Sequence, residues 1–325
     1  MSMLDDIRAQ PHQIGDALWR VEAAAIPSRE LAGGLVVCGM GGSAIGGDLA
    51  AAAIGPRARG PVRTIRGYTI DPWIGDQTLV LCASYSGGTE ETLSCFDAAG
   101  EQGAPRVVLT TGGALAERAR EQGVPVIGVP SGLQPRAAVI YMTVAALQCA
   151  AACGAAPSLR DELEAAVPLL EELAGDDEPS RLAEALHGTI PVVHGAELTA
   201  APARRWKGQI NENANVAAFA SDLPEANHNE IEGWAHAREH GPFSAVFLGS
   251  PGLHARVQRR IELYSEVLEA DGVPVVPVRS RGDSPVAEVL SLVMLGDLAS
   301  VALAELGGVD PAAMEAIEAF KQRLS

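Results

Sequence analysis

Two short loops in the N-terminal half hold the residue types that grip anions. Gly41-Gly42-Ser43 follows one apolar run, and Ser84, Ser86 and Thr89 lie in the run SYSGGT that follows another. Glycine lets backbone N–H groups approach a ligand closely, and a hydroxyl at a helix start adds a donor. If helices begin at these turns, their N-termini contribute free N–H groups and the positive end of a dipole. Read as a pair, the loops suit a terminal phosphate. Read singly, each is as well explained by a tight structural turn. The first loop, GMGGSAIGG, is not a Walker motif, because no Lys-Ser or Lys-Thr follows its glycines. Gly39, Gly41 and Ala44 formally fit a dinucleotide fingerprint. No acidic residue closes a clear second strand about twenty residues on, however, and the region from Arg57 to Arg66 is basic.

The elements that must position these loops recur along the chain. Apolar runs at 34–39, 78–83, 106–111 and 125–129 each end in a Gly- or Ser-rich turn, and the first three lead into helix-forming sequence. Alternating buried strands and helices imply a parallel, doubly wound sheet, with ligands beyond the carboxyl ends of its strands. From about Ala137 to Leu173 the sequence is rich in Ala, Leu and Glu and reads as helices joining two halves, with the acidic run 175–179 as a boundary. Strand-like runs return at 189–194, 244–248 and 273–278. The expected fold class is therefore α/β, with two doubly wound domains and mainly parallel sheets in tandem. Their expected bounds are 1–153, a helical linker at 154–180, and 181–325. The second half shows no matching Ser/Gly-rich loop, so phosphate binding is assigned to the first.

Composition narrows the function classes. A chain of 325 residues exceeds the usual single-domain size. Its 47% apolar and 20% charged content is ordinary for a globular protein, and no uncharged stretch reads as a membrane span. The acidic, amphipathic N-terminus lacks a basic region followed by an apolar run, so a cytoplasmic location is expected. A formal net charge of −17 opposes a nucleic-acid partner, whose phosphates it would repel. An anionic ligand then needs a locally positive site. The five cysteines are odd in number and lack CxxC spacing, and Cys38 and Cys82 sit in apolar runs, so all five read as reduced core residues.

The motifs together carry a resemblance. Gly41-Gly42-Ser43, Ser84-x-Ser86-x-x-Thr89 and PSGLQPR, which ends at Arg136, resemble the sugar isomerase (SIS) domain. The run NENAN from Asn211 and the run LPEANHNEIEGW from Leu223 to Trp234 narrow this. They resemble the bifunctional phosphoglucose/phosphomannose isomerase family, built from two SIS domains, over about residue 35 to the C-terminus.

That resemblance implies aldose–ketose isomerisation through a cis-enediolate, without metal or other cofactor. It implies that Glu212 is the base that shuttles the proton between C2 and C1; the surrounding segment is Asn-rich and nearly uncharged, a setting in which a carboxylate can take up a proton. It gives His228 the ring-opening role, and imidazole can donate and accept protons near neutral pH. The flanking Asn227 and Asn229 are expected to fix its tautomer. Arg136 would hold the enediolate charge, since a guanidinium stays protonated. Lys321 would assist at the ring oxygen. Related enzymes form homodimers with shared active sites, so His228 is expected either from the same chain or from a second copy. Without the resemblance each residue has a plainer reading: a solvated glutamate, a structural histidine, a capping arginine and a solvated terminal lysine.

His228, Glu232, His236 and His240 recur every four positions and would form a metal-binding stripe on one continuous helix, but Gly233 and Trp234 interrupt the register. The family's dual specificity is tied to a small hydroxyl residue shortly before the C-terminal lysine. Here that stretch, 310–314, reads DPAAM and holds no Thr or Ser. Phosphoglucose activity is accordingly expected ahead of phosphomannose activity. Two rivals share the loops: a non-catalytic SIS sensor, which would need no Glu212, and an aminosugar-phosphate isomerase or etherase.

Overall fold

The structure is a computed structural model and describes residues 2–324. In the first half the elements run α1 (Met3–Arg8), α2 (Gln10–Ala23), β1 (Leu35–Cys38), α3 (Gly41–Ile54), β2 (Val62–Ile65), β3 (Leu79–Ala83), α4 (Glu90–Glu101), β4 (Arg106–Thr110), α5 (Gly113–Glu121), β5 (Val126–Gly128), α6 (Val139–Ala152), α7 (Arg160–Leu173) and α8 (Glu178–Leu186). The second half continues with β6 (Ile190–Gly195), α9 (Ala200–Ala214), β7 (Phe219–Asp222), α10 (Glu230–Gly233), α11 (Ala237–His240), β8 (Phe243–Gly249), α12 (Ala255–Ala270), β9 (Val275–Arg279), α13 (Pro285–Gly307) and α14 (Glu315–Leu324).

The chain divides into two compact units. One comprises Arg8–Glu172 with Arg281–Ser291; the other comprises Met1–Ile7, Leu173–Ser280 and Leu292–Ser325. Each holds one wholly parallel sheet, with strand orders β2-β1-β3-β4-β5 and β7-β6-β8-β9. These are the α/β, doubly wound sheets that alternating runs predict. In both, the strand order reverses at the first strand, so a crevice opens beyond the carboxyl ends of β1 and β3, and likewise of β6 and β8.

Central strands show why the runs were legible. β1 and β3 are buried at every position, as strands covered on both faces must be. The edge strands β2 (VRTI) and β7 (FASD) were not expected. Each is partly exposed and carries polar side chains, so neither presents an apolar run. The basic stretch read as lacking a strand thus contains β2.

Two helices bear on the membrane reading. Residues 135–152 and α13 are long and apolar enough to cross a bilayer by length and composition. They are also 78% and 94% buried within the fold, as core helices are. Cys38, Cys82, Cys95 and Phe96 lie together in the core of the N-terminal unit, and all five cysteines are free and buried.

Candidate functional site

Helix α3 begins at Gly41, so Gly41-Gly42-Ser43 is its first turn and follows closely on β1. The second loop joins β3 to α4, with Thr89 at the N-cap position. β1 and β3 pair side by side, Cys38 opposite Cys82, so the two loops emerge as neighbours at the reversal of strand order. They are joined there: the Tyr85 backbone N–H donates to Ser43 Oγ at 3.3 Å.

The hydroxyl network is suited to an anion. Ser43 Oγ and Ser86 Oγ each accept a backbone N–H, from Tyr85 and from Gly88 at 3.3 Å, which leaves their O–H hydrogens available to a ligand. Ser84 Oγ lies 2.8 Å from Thr89 Oγ1 and accepts from the Gly87 N–H at 3.0 Å, holding the loop's shape. Ser43 and Ser84 are buried, whereas Gly41, Ser86 and Gly88 are exposed. Helix α4 carries Glu90 and Glu91 in its first turn, while α3 carries no acidic residue there, so the stronger positive field comes from α3.

Arg136 joins this site. It is buried, on a short 3-10 turn before α6, and its backbone lies against Gly42: a Cβ on Gly42 would stand 3.2 Å from Arg136 Cα. Tyr85, which sequence reasoning passed over, ties the second loop to the segment that carries Arg136. Its hydroxyl donates to the Pro130 carbonyl at 3.0 Å and accepts from the Leu133 N–H at 2.9 Å. A tyrosine inside a Ser/Gly loop was the available signal.

In the C-terminal unit, Glu212 is half-buried in the last turn of α9, and α9 ends at Asn215 in the left-handed conformation (φ 54°). Asn211 Nδ2 donates to the Val216 carbonyl at 2.8 Å, closing the chain around that helix end. His228 is exposed on a 3-10 turn, Glu225–His228. Its flanking asparagines do not orient its ring. The Asn229 side chain caps α10, accepting from the Glu230 N–H at 2.6 Å and donating to Glu225 Oε1 at 3.2 Å. Lys321 is exposed on α14.

The four-residue histidine spacing does not become a stripe. Residues 225–240 form four pieces, two 3-10 turns and two helices of 4 residues each, so His228, Glu232, His236 and His240 share no helix face. Among the described residues no three His, Cys, Asp or Glu side chains form a metal-binding group.

Two other histidines, His194 and His254, have structural settings. His194 on β6 is buried, stacks on Phe247 at 4.7 Å between ring centroids, and meets Tyr264 at 5.3 Å and Trp234 at 6.1 Å. Neither ring nitrogen has a hydrogen-bond partner, and burial pushes its pKa down to about 4. His254 caps α12, its Nδ1 accepting from the Arg256 N–H at 3.1 Å. In the second crevice, the Glu197 carboxylate accepts from the His254 N–H at 3.0 Å, and Glu197 adopts a positive φ of 50°.

Comparison with known proteins gives consistent matches. The family model for the bacterial phospho-glucose isomerase C-terminal SIS domain matches residues 175–324. A bifunctional phosphoglucose/phosphomannose isomerase from Aquifex aeolicus (strain VF5) is 38% identical over 294 residues, 90% of each chain. One from Caldicellulosiruptor bescii is 36% identical over 303 residues, 90% of this chain and 89% of the relative. A crystal structure of a hypothetical protein from Thermus thermophilus superposes with a TM-score of 0.77 at 17% identity, covering 99% of this chain and 91% of that one, a likeness of fold.

Proposed function

Because the chain belongs to the bifunctional phosphoglucose/phosphomannose isomerase family, we propose that it interconverts glucose 6-phosphate and fructose 6-phosphate, and mannose 6-phosphate by the same enediolate. The observation that carries the reading in the molecule is the junction of the two loops, where Ser43 and Ser86 keep O–H donors beside the N-terminus of α3. In this reading Gly41, Gly42, Ser43, Ser84, Ser86 and Thr89 hold the substrate phosphate.

The roles follow from the chemistry each group can perform. Glu212 takes the proton from C2 of the open-chain aldose and returns it to C1, since one carboxylate suits a shuttle between adjacent carbons. His228 transfers the proton that opens the ring, and Lys321 donates toward the ring oxygen. Arg136 faces no competing protonation equilibrium and balances the enediolate charge. Glucose and mannose 6-phosphates differ only at C2 and share one enediol, so the same base serves both. Met314, immediately before α14, stands in the stretch where a hydroxyl residue would favour the mannose substrate, and it makes glucose 6-phosphate the better one.

We assign the chemistry to side chains alone. Activity that survives EDTA supports this, and loss restored only by a divalent ion overturns it. We also place the protein in the cytoplasm as a homodimer. Five free, buried cysteines suit a reducing compartment. The apolar residues Ile317, Phe320 and Leu324, exposed on the helix of Lys321, suit a second copy. A monomer by light scattering would remove the dimer.

The decisive experiment incubates the purified protein with fructose 6-phosphate in heavy water. Deuterium at C2 of the glucose 6-phosphate formed, lost in Glu212→Gln with fructose 6-phosphate binding kept, is expected. Turnover by Glu212→Gln near the unsubstituted rate would refute its role as base.

A further inference from the structure

Helix α9 carries an unexpected stripe on the side it buries. Arg205, Gln209 and Asn213, spaced four apart along one ridge, are all nearly inaccessible, at 3%, 3% and 0% exposure. The partners of Arg205 and Asn213 stand on α13, and Gln209 Oε1 accepts from Asn213 Nδ2 at 3.5 Å within α9. Arg205 forms a two-pronged ion pair with Asp297, Nε to Oδ1 at 2.9 Å and Nη2 to Oδ2 at 2.7 Å. Asn213 Nδ2 donates to Ser300 Oγ at 2.8 Å, and Ser300 Oγ donates to the Asp297 carbonyl at 2.7 Å. The Trp206 indole N–H, beside them, donates to the Leu292 carbonyl at 2.7 Å. It fits because α13 has glycine at 296, where a Cβ would lie 2.3 Å from Trp206 Nε1.

Stability alone does not account for this choice. A buried ion pair loses solvation about as large as its Coulomb gain, and well-packed apolar residues would serve equally. Directional bonds supply registration, which apolar packing does not. Trp206 to Asn213 and Leu292 to Ser300 each span roughly 10–12 Å of helix at about 1.5 Å per residue. Two hydrogen bonds about two turns apart therefore fix both the slide and the rotation of α9 on α13. The second lies one residue beyond Glu212. On the other side of Glu212, Asn211 ties the helix end to Val216.

We propose that the Asn213–Ser300 hydrogen bond, held by the Arg205–Asp297 pair behind it, is the device that positions Glu212, so that Asn213 and Ser300 are positioning residues for proton transfer. The proposal rests on Glu212 being the base. Displacing a reacting group by about 1 Å costs on the order of a hundredfold in rate, while substrate affinity, set in this reading by the phosphate loops, changes little.

The test compares Ser300→Ala, Asn213→Ala, the double variant and Ser300→Thr, with Glu212→Gln alongside. Kinetics on fructose 6-phosphate and thermal unfolding are recorded for each. The expected result is a fall in kcat of about tenfold or more in both alanine variants, with KM within about twofold. The double variant should match either single one, since both remove the same bond. Ser300→Thr, which keeps the hydroxyl, should recover most of the rate. Should Asn213→Ala fail to fold, Ser300→Ala against Ser300→Thr decides alone. An inactive Glu212→Gln together with an unchanged kcat in Ser300→Ala overturns the positioning role and leaves the base assignment standing. Normal turnover in Glu212→Gln overturns both.

Discussion

Gly87 and Gly112 are so close that a Cβ built on Gly87 would stand 1.8 Å from the Gly112 carbonyl oxygen. Gly87 also has a φ of 68°, which side-chain-bearing residues seldom adopt. The contact locks the loop after β3 onto the loop after β4, where Thr111 Oγ1 donates to the Tyr85 carbonyl at 2.9 Å. Substitution Gly87→Ala must move one backbone or the other. We expect a stability loss of about 1–3 kcal/mol from strain and a rise in KM for sugar phosphate of about tenfold or more. Unaltered KM and melting temperature would show that the loop has slack.

Two ion pairs of the C-terminal unit should respond very differently. Asp297→Ala removes the two-pronged partner of the buried Arg205, whose side chain is 2% exposed, and is expected to cost about 3–5 kcal/mol in urea unfolding. Asp222→Ala removes a partner from Arg204, where both side chains are about half exposed, and should cost under about 1 kcal/mol. Equal costs would mean that burial does not set the strength of these pairs.

His194 makes acid sensitivity predictable. Its pKa is about 4 in the folded chain, against 6.5 for an ordinary histidine. Above pH 6.5 neither state holds the proton and His194 has no effect. As pH falls from 6.5 to about 4 the unfolded chain takes the proton and the native chain does not, so stability declines. Between pH 7.5 and 5 the loss from this residue should be roughly 2 kcal/mol. His194→Phe, which keeps the aromatic packing, should remove that component of the pH slope. An identical slope in wild type and variant would exclude His194 as its source.

All five cysteines should resist alkylation in the native state. Each is buried, and loss of solvation pushes the Cys82 and Cys149 thiols up, away from the reactive thiolate. Mass spectrometry after iodoacetamide at neutral pH should find the native chain unmodified and the denatured chain carrying five adducts. A native adduct at any one site would reveal an opening there.

What the sequence conveyed depended on how its residues are exposed. β1, β3, β4, β6 and β8 are covered strands and read as apolar runs, whereas β2 and β7 lie at sheet edges and look like loops. The phosphate loops were legible because glycine and serine cluster there for a local reason. Arg205, Gln209 and Asn213 were not, since polar residues every four positions normally mark a solvated face, and only their burial, with Arg205 and Asn213 paired to α13, shows otherwise. The histidine spacing from 228 to 240 misled for a related reason: periodicity carries meaning only on an unbroken helix, and this segment is broken into four.

The Glu197 carboxylate on the His254 N–H has a consequence for stoichiometry. The second sheet repeats the strand reversal of the first, yet its crevice already contains a negative group that belongs to the chain. A phosphate arriving there would have to evict a tethered competitor whose effective concentration, at the millimolar scale or above, does not fall on dilution. A binding isotherm should therefore saturate at a single equivalent per chain, and the duplicated fold counts as one receptor.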